Sequence, residues 1–192
     1  MPVEIVGPRD SWPAEFRVIG TDLREILGAL ALRIDHIGST AVPGLAAKDV
    51  IDVQVTVRSL EPWTTIPRTL ADSGYIEVPD IAGDHRRAGG PEGEEHWRKR
   101  FFREPQGRRR AHIHVREDER PNQRYALLFR DYLRTHDEDA ASYLAAKRDL
   151  AERFRDDRDA YSDAKDPVCD RLIEAAEVWA GAVAWAPGPS DA

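Results

Sequence analysis

A Gly-Ser-Thr turn set between two strand-like runs constrains this chain more than any other stretch of it. The residues are Asp35-His36-Ile37-Gly38-Ser39-Thr40-Ala41-Val42-Pro43-Gly44-Leu45-Ala46-Ala47-Lys48-Asp49-Val50-Ile51-Asp52-Val53. Ala31 to Ile37 reads as a strand, Gly38 to Gly44 as a Gly/Pro-rich loop, and Asp49 to Val57 as a second strand rich in β-branched residues. Alternation along the second strand puts Asp52, Gln54 and Thr56 on one face and Ile51, Val53, Val55 and Val57 on the other. Gly38 has no β-carbon, so backbone amides there can approach a ligand closely, and Ser39 and Thr40 add hydroxyl donors. A carboxylate such as Asp52 beside a phosphate-binding loop suits metal-assisted phosphoryl or nucleotidyl transfer. There a metal binds carboxylate and phosphate oxygens together and neutralises charge in the transition state.

The rest of the chain supplies the frame. Val3 to Val6 reads as a short strand, and Ser11 as the cap of a helix whose stripe is Phe16, Ile19, Leu23, Ile26, Leu27 and Leu30. Pro62 to Ala71 reads as a short helix, followed by a Ser73-Gly74 turn and a strand near Tyr75 to Val78. Residues 79–96 have no periodicity and read as a mobile loop. Strands near Trp97–Arg103 and Arg109–Arg116 are joined by Glu104-Pro105-Gln106-Gly107, a hairpin turn. Beyond Pro121 the pattern becomes helical. One stripe is Tyr125, Leu128, Phe129, Tyr132 and Leu133; a second is Tyr143, Lys147, Leu150 and Phe154. Asp166 and Pro167 read as the N-cap and first residue of a last helix, with Val168, Leu172, Ile173, Ala176 and Val183 inward and a tail from Pro187. Strands followed by helices indicate an α+β fold, a mixed β-sheet with packed helices and a helical C-terminal third, built as a single domain over 1–186 with tail 187–192. No internal repeat is present.

Composition bounds the function. The chain has 192 residues, 41% hydrophobic and 33% charged, with a net charge of −7. That length suits one domain with one continuous core. A net acidic chain is repelled by phosphodiester backbones, which argues against a dedicated nucleic-acid-binding role. No apolar run reaches the ~20 residues of a membrane span, and the first residues lack a signal-peptide pattern, so a cytoplasmic location is expected. Cys169 is the only cysteine, which rules out an internal disulfide and a multi-cysteine zinc site. Between Arg98 and Arg110, a run of arginines with Lys99 is opposed by Glu104 alone. It could face a small anion such as a triphosphate or form a solvated hairpin tip.

Two histidines complete the candidate chemistry. His112 and His114 sit at i and i+2 on a strand and so point the same way, either towards a ligand or across an open sheet face. His36 reads as a core histidine behind the loop, Lys48 as a phosphate contact or a solubilising edge residue, and Trp12 as a lid on the core. Arg130 and Asp131 read as a structural ion pair, and Tyr161 and Lys165 as packing residues within reach of a ligand. No Ser-His-Asp order or reactive-cysteine context supports covalent catalysis.

The run His36-Ile-Gly-Ser-Thr-Ala-Val-Pro-Gly-Leu-Ala-Ala-Lys48, followed by Ile51-Asp52, resembles the signature of the GrpB family. The resemblance extends to Trp12-Pro13, to His112-Ile113-His114-Val115, to Phe129-Arg130-Asp131-Tyr132-Leu133, and to Tyr161 with Lys165, covering nearly the whole chain. Members occur alone and as an extra domain on some dephospho-CoA kinases, and the family is grouped with nucleotidyltransferases. The resemblance therefore implies a nucleotidyltransferase-like fold. One departure matters. That superfamily places two acids at alternate positions on the second strand and a third on a later strand; here the partner of Asp52 is Gln54, and the later strand offers His112 and His114. An amide oxygen is a poorer metal ligand than a carboxylate, whereas Asp52 with one or both histidines could hold a single divalent ion (magnesium, manganese or zinc), imidazole suiting the latter two better.

The expected function is binding of a nucleotide or another phosphorylated small molecule, with nucleotidyl transfer assisted by that ion. Asp52, His112 and His114 are the candidate catalytic and metal residues, and Gly38, Ser39, Thr40 and Lys48 the candidate phosphate contacts. The rivals are a non-catalytic binding or partner domain, favoured by Gln54, and a different metal-dependent small-molecule enzyme built on Asp52, His112 and His114.

Overall fold

Alternation on the central strands divides the molecule into an oily side and a chemical side. The computed structural model describes residues 2–62, 64–87 and 89–192. Its five-stranded mixed sheet runs β1(Ala31–Ile37), β2(Ile51–Val57), β5(Ala111–Glu117), β4(Arg100–Arg103) and β3(Ile76–Glu77) in spatial order. The β2–β5 pair is parallel and the other pairs are antiparallel. Ile51, Val53, Val55 and Val57 on β2, with Ala111, Ile113 and Val115 on β5, are buried in the main core. They pack with Trp12, Phe16, Ile19, Leu23 and Leu27 of α1(Trp12–Leu27) and with Ile66 and Leu70 of α2(Thr65–Asp72).

The opposite face carries Asp52, Gln54 and Thr56 beside His112, His114 and Arg116. Parallel register puts Asp52 next to His112 and Gln54 next to His114. Above this polar face lies α3(Pro121–Thr135), which packs on α4(Asp137–Arg153) and α5(Arg158–Val183). A second core of Val42, Leu45, Leu128, Tyr132, Leu133, Tyr143, Leu172, Ile173 and Ala176 binds these helices together. Polar hooks seat α3 on the sheet. The Arg130 guanidinium donates to the His36 carbonyl at 3.0 Å while pairing with Asp131, and Gln54 Nε2 donates to the Gln123 carbonyl at 3.1 Å. Trp12 closes the core from one end, its indole N–H donating to Asp49 at 3.0 Å. No helix among the described residues is long and apolar enough to cross a membrane.

Several local expectations are corrected. Val3–Val6 is not a strand; Val6 makes one antiparallel bridge to Ala47. Ser11 precedes α1 without a side-chain capping bond, and Leu30 lies exposed in a 3₁₀ turn beyond the helix. The short helix starts at Thr65 rather than Pro62, with residue 63 outside the described residues. Residues 79–96, of which residue 88 lies outside the described residues, include a short 3₁₀ turn at Glu94–His96. Pro167 is inside α5, not at its start, because Asp157 supplies the cap by accepting from the Ala160 amide at 2.9 Å. An interior proline removes one helical hydrogen bond, a cost of about 3 kcal/mol that the buried stripe on either side must exceed. Val183 is exposed. The segment from Pro187, read as a tail, lies along the outer edge of β1: Ser190 Oγ accepts from the Ile34 amide at 2.9 Å, and Asp191 accepts from the His36 amide and from Arg130. Those bonds occupy donors that an open strand edge would leave unpaired.

Candidate functional site

Sequence patterning built the site by placing one acid and two imidazoles on neighbouring strands of the polar face. His112 Nδ1 lies 3.2 Å from Asp52 Oδ1, and His114 Nε2 lies 3.6 Å from the same oxygen. One ligand atom from each of the three falls within 4.8 Å of the others, a spacing compatible with a shared divalent ion. Burial alone would raise the Asp52 pKa, but the hydrogen bonds from His112 and His114 outweigh it and hold the carboxyl well below the usual range. His114 is lowered to about 3 by burial and by Lys99 and Arg116, so it is neutral at physiological pH.

The Gly38–Thr40 turn lies against this cluster. Gly38 has φ +70°, and a β-carbon there would meet the Asp52 carboxylate. Ser39 Oγ accepts a 3.0 Å hydrogen bond from Lys147 Nζ, which also donates to the Ala46 carbonyl at 2.7 Å. The Thr40 hydroxyl turns inward to His36 Nε2 at 3.0 Å. His36 stacks on Phe16 and is lowered to about 4 by burial, which makes it a neutral brace behind the turn. Lys48 stands over the Tyr161 ring at 5.0 Å. A cavity of about 180 Å³ joins Gly38, Ser39, Thr40, Lys48, Asp52 and His112 to three residues from the helices, Lys147, Tyr161 and Lys165. A larger cavity of about 370 Å³ shares Gly38, Asp52 and Lys165 with it and continues past His114, Lys99 and Trp97.

The position of the missing second acid is closed. Gln54 is fully buried, and its Oε1 accepts from Arg116 at 2.7 Å. Arg116 and Lys99 are both held by Asp84, at 2.8 and 2.6 Å, and Asn122 donates to the same carboxylate. Charge from Arg116 and Lys99 outweighs the burial that would raise Asp84, keeping it ionised. Two cations thus stand where a second metal and its acid would be needed, so the residues fit one divalent ion and do not fit a pair. Both cations also face His114 Nδ1, at 3.4 and 3.5 Å. A metal-bound imidazole usually donates its outer N–H to a carboxylate or carbonyl. His114 meets donors there instead, which leaves His112 the better-placed imidazole.

Two of these residues escaped sequence reasoning. Lys147 reads from the sequence as part of a helical stripe, and a lysine among apolar positions is the signal that sets it apart. Asp84 sits in an aperiodic segment, and its partners are distant in sequence, so no local pattern marks it. The Arg98–Arg110 run is largely neutralised by internal acids: Arg100 pairs with Glu77, Arg109 with Glu15 and Asp49, and Lys99 with Asp84.

A mixed-sheet α+β domain with a carboxylate–imidazole cluster beside a Gly-Ser turn is the class this fold and site define. The family model described as GrpB protein matches residues 2–175, and the chain belongs to the GrpB family. It is 36% identical to a dephospho-CoA kinase of Mycolicibacterium paratuberculosis over 97% of its own length and 49% of that protein. The chain thus spans about half the length of the curated relatives it first matches. The crystal structure of conserved protein GrpB from Enterococcus faecalis matches 92% of this chain and 99% of that one at 28% identity, with a TM-score of 0.74. A cytoplasmic RNA terminal U-transferase is a remoter neighbour, at TM-score 0.48 and 17% identity over 77% of this chain and 43% of that one, too distant to bear on the reaction.

Proposed function

We propose that this domain binds a nucleotide or another phosphorylated small molecule at the Gly38–Thr40 turn with one divalent ion, and transfers a nucleotidyl group from it. The observation that carries this reading is the convergence of Asp52, His112 and His114 on the cavity that the turn also lines. Asp52 and His112 would hold the ion, with His114 completing the set; when bound it would neutralise phosphate charge. Ser39 and Lys48 would contact phosphate oxygens, while Gly38 leaves the room that both the carboxylate and the ligand require. Nothing in this arrangement asks for a covalent intermediate, so positioning and charge stabilisation are the protein's contribution.

A second reading is a binding domain that does not turn its ligand over. The observation favouring it is the Arg116–Lys99–Asp84 cluster, which fills the second acid's place with positive charge and faces His114 with donors.

A thermal-shift screen of nucleotides and coenzymes, dephospho-CoA included, with and without magnesium, manganese and zinc tests both. Selective binding raises the melting point. The transfer reading expects a metal-dependent rise with a nucleoside triphosphate and pyrophosphate release in the same mixture. A rise without release supports the binding domain, and no rise with any phosphorylated compound overturns both.

A further inference from the structure

Most buried or clustered cations in this molecule face carboxylates. Lys99 and Arg116 face Asp84, Arg109 faces Glu15 and Asp49, Arg130 faces Asp131 and Asp191, and Arg124 faces Glu177. Lys48, Lys147 and Lys165 break this rule. They come from three separate parts of the chain, line the same cavity beside Asp52, and none of them forms an ion pair with a described carboxylate. Their hydrogen-bond and ring partners are neutral: Lys48 lies over the Tyr161 ring, and Lys147 over the Tyr143 ring at 4.7 Å with Ser39 Oγ and the Ala46 carbonyl as acceptors. Carboxylates reach two of them only beyond ion-pair distance, Asp52 acting on Lys48 and Asp166 on Lys165. Lys147 is only 3% exposed. A buried ammonium without a counter-charge is costly, and the cost falls when an anion arrives.

We propose that Lys48, Lys147 and Lys165 form a subsite for the phosphate chain of a di- or triphosphate. This rests on the phosphorylated-ligand reading above and narrows it. Charge makes the distinction. With all three ammonium groups protonated, as in the anion-bound state, they sum with the Asp52 carboxylate to +2, and one divalent ion raises this to +4, which matches the charge of a fully ionised nucleoside triphosphate and exceeds that of a phosphate monoester. A neutral sugar or a monoanion would leave most of that charge uncompensated.

The electrostatics of Lys147 add a signature. Burial, and then Lys165, Lys48 and Arg148, push its pKa down to about 7, with Cys169 opposing. Tyr143 and Ser39 are its neutral polar neighbours. A polyanion reverses the repulsion, so binding should draw a proton onto Lys147 at neutral pH.

The test is calorimetric titration of the whole chain with inorganic tripolyphosphate and with orthophosphate. It is run at pH 7 with chelator, in two buffers of different ionisation enthalpy. Wild type should bind tripolyphosphate at least tenfold more tightly than orthophosphate, with net proton uptake. Lys147→Met should weaken tripolyphosphate at least tenfold and abolish the uptake. Lys48→Met and Lys165→Met, at more exposed positions, should also lose affinity and keep the test decisive if Lys147→Met fails to fold. Equal binding of the two anions by wild type, or wild-type affinity in the lysine variants, would overturn the subsite. A parallel metal titration separates the two proposals. Tripolyphosphate bound without any divalent-ion uptake sinks the metal-dependent reading alone, whereas metal and nucleotide bound with silent lysine variants sinks the subsite alone.

Discussion

Gly38 and Asp52 share a space that admits only one of a β-carbon and a carboxylate: a Cβ at Gly38 would stand 2.5 Å from Asp52 Oδ2. The positive φ of Gly38 adds backbone strain to any substitution. Gly38→Ala should therefore cost about 1–2 kcal/mol of stability and displace Asp52. Metal affinity should fall together with ligand affinity, because the added carbon meets the acid. Denaturant melts and metal titration of the folded variant check this; unchanged metal binding would place the ion away from Asp52.

Buried neutral histidines set the acid limit of the fold. His36 falls from its ordinary 6.5 to about 4 in the folded state, chiefly by burial, and His114 to about 3. Between pH 6.5 and 4 the unfolded chain binds protons at these sites that the folded chain refuses, so stability falls as pH drops through that window. His36 alone contributes up to roughly 3 kcal/mol of this loss. Urea midpoints from pH 7.5 to 4 should decline, and His36→Gln should flatten the decline. A parallel shift of the whole curve, with its slope kept, would contradict the assignment.

Gln54→Asp does not create a second metal site in this geometry. The residue is buried with its oxygen on Arg116, so a carboxylate there would pair with the guanidinium instead. Magnesium-dependent pyrophosphate release should stay at the wild-type level in Gln54→Asp. A clear gain would show that Arg116 yields the position readily.

Ser39→Ala removes both a candidate phosphate contact and an acceptor for Lys147. Ligand affinity should weaken by on the order of 1–2 kcal/mol, the scale of a hydrogen bond to a charged group. Equilibrium binding of the ligand found by thermal shift measures it, and wild-type affinity would place the phosphate elsewhere.

What could be read in advance followed local rules. Ala31–Ile37 is legible to its last residue because a Gly/Pro-rich loop begins at Gly38. The second strand was overestimated at its start, since Asp49 looks extended but its side chain is held by Trp12 and Arg109. His112 and His114 were legible as a pair by their i, i+2 spacing; that they face Asp52 depends on parallel register between strands far apart in sequence. Asp84 is placed by a separate bridge between Gly83 and Arg98, and its meeting with Arg116 spans 32 residues of sequence. Pro167 misled because a proline after an aspartate imitates a helix start, while the true cap at Asp157 precedes residues with little apolar periodicity.

Divalent-ion uptake by wild type and by Asp52→Asn, measured by calorimetry with manganese and zinc, tests the centre of the site most directly. Wild type should bind one ion per chain. Asp52→Asn should lose at least a hundredfold in affinity, and His112→Ala should lose more than His114→Ala, whose outer nitrogen faces cations. Equal uptake by wild type and Asp52→Asn, or no uptake by wild type, would contradict a metal centre on Asp52, His112 and His114.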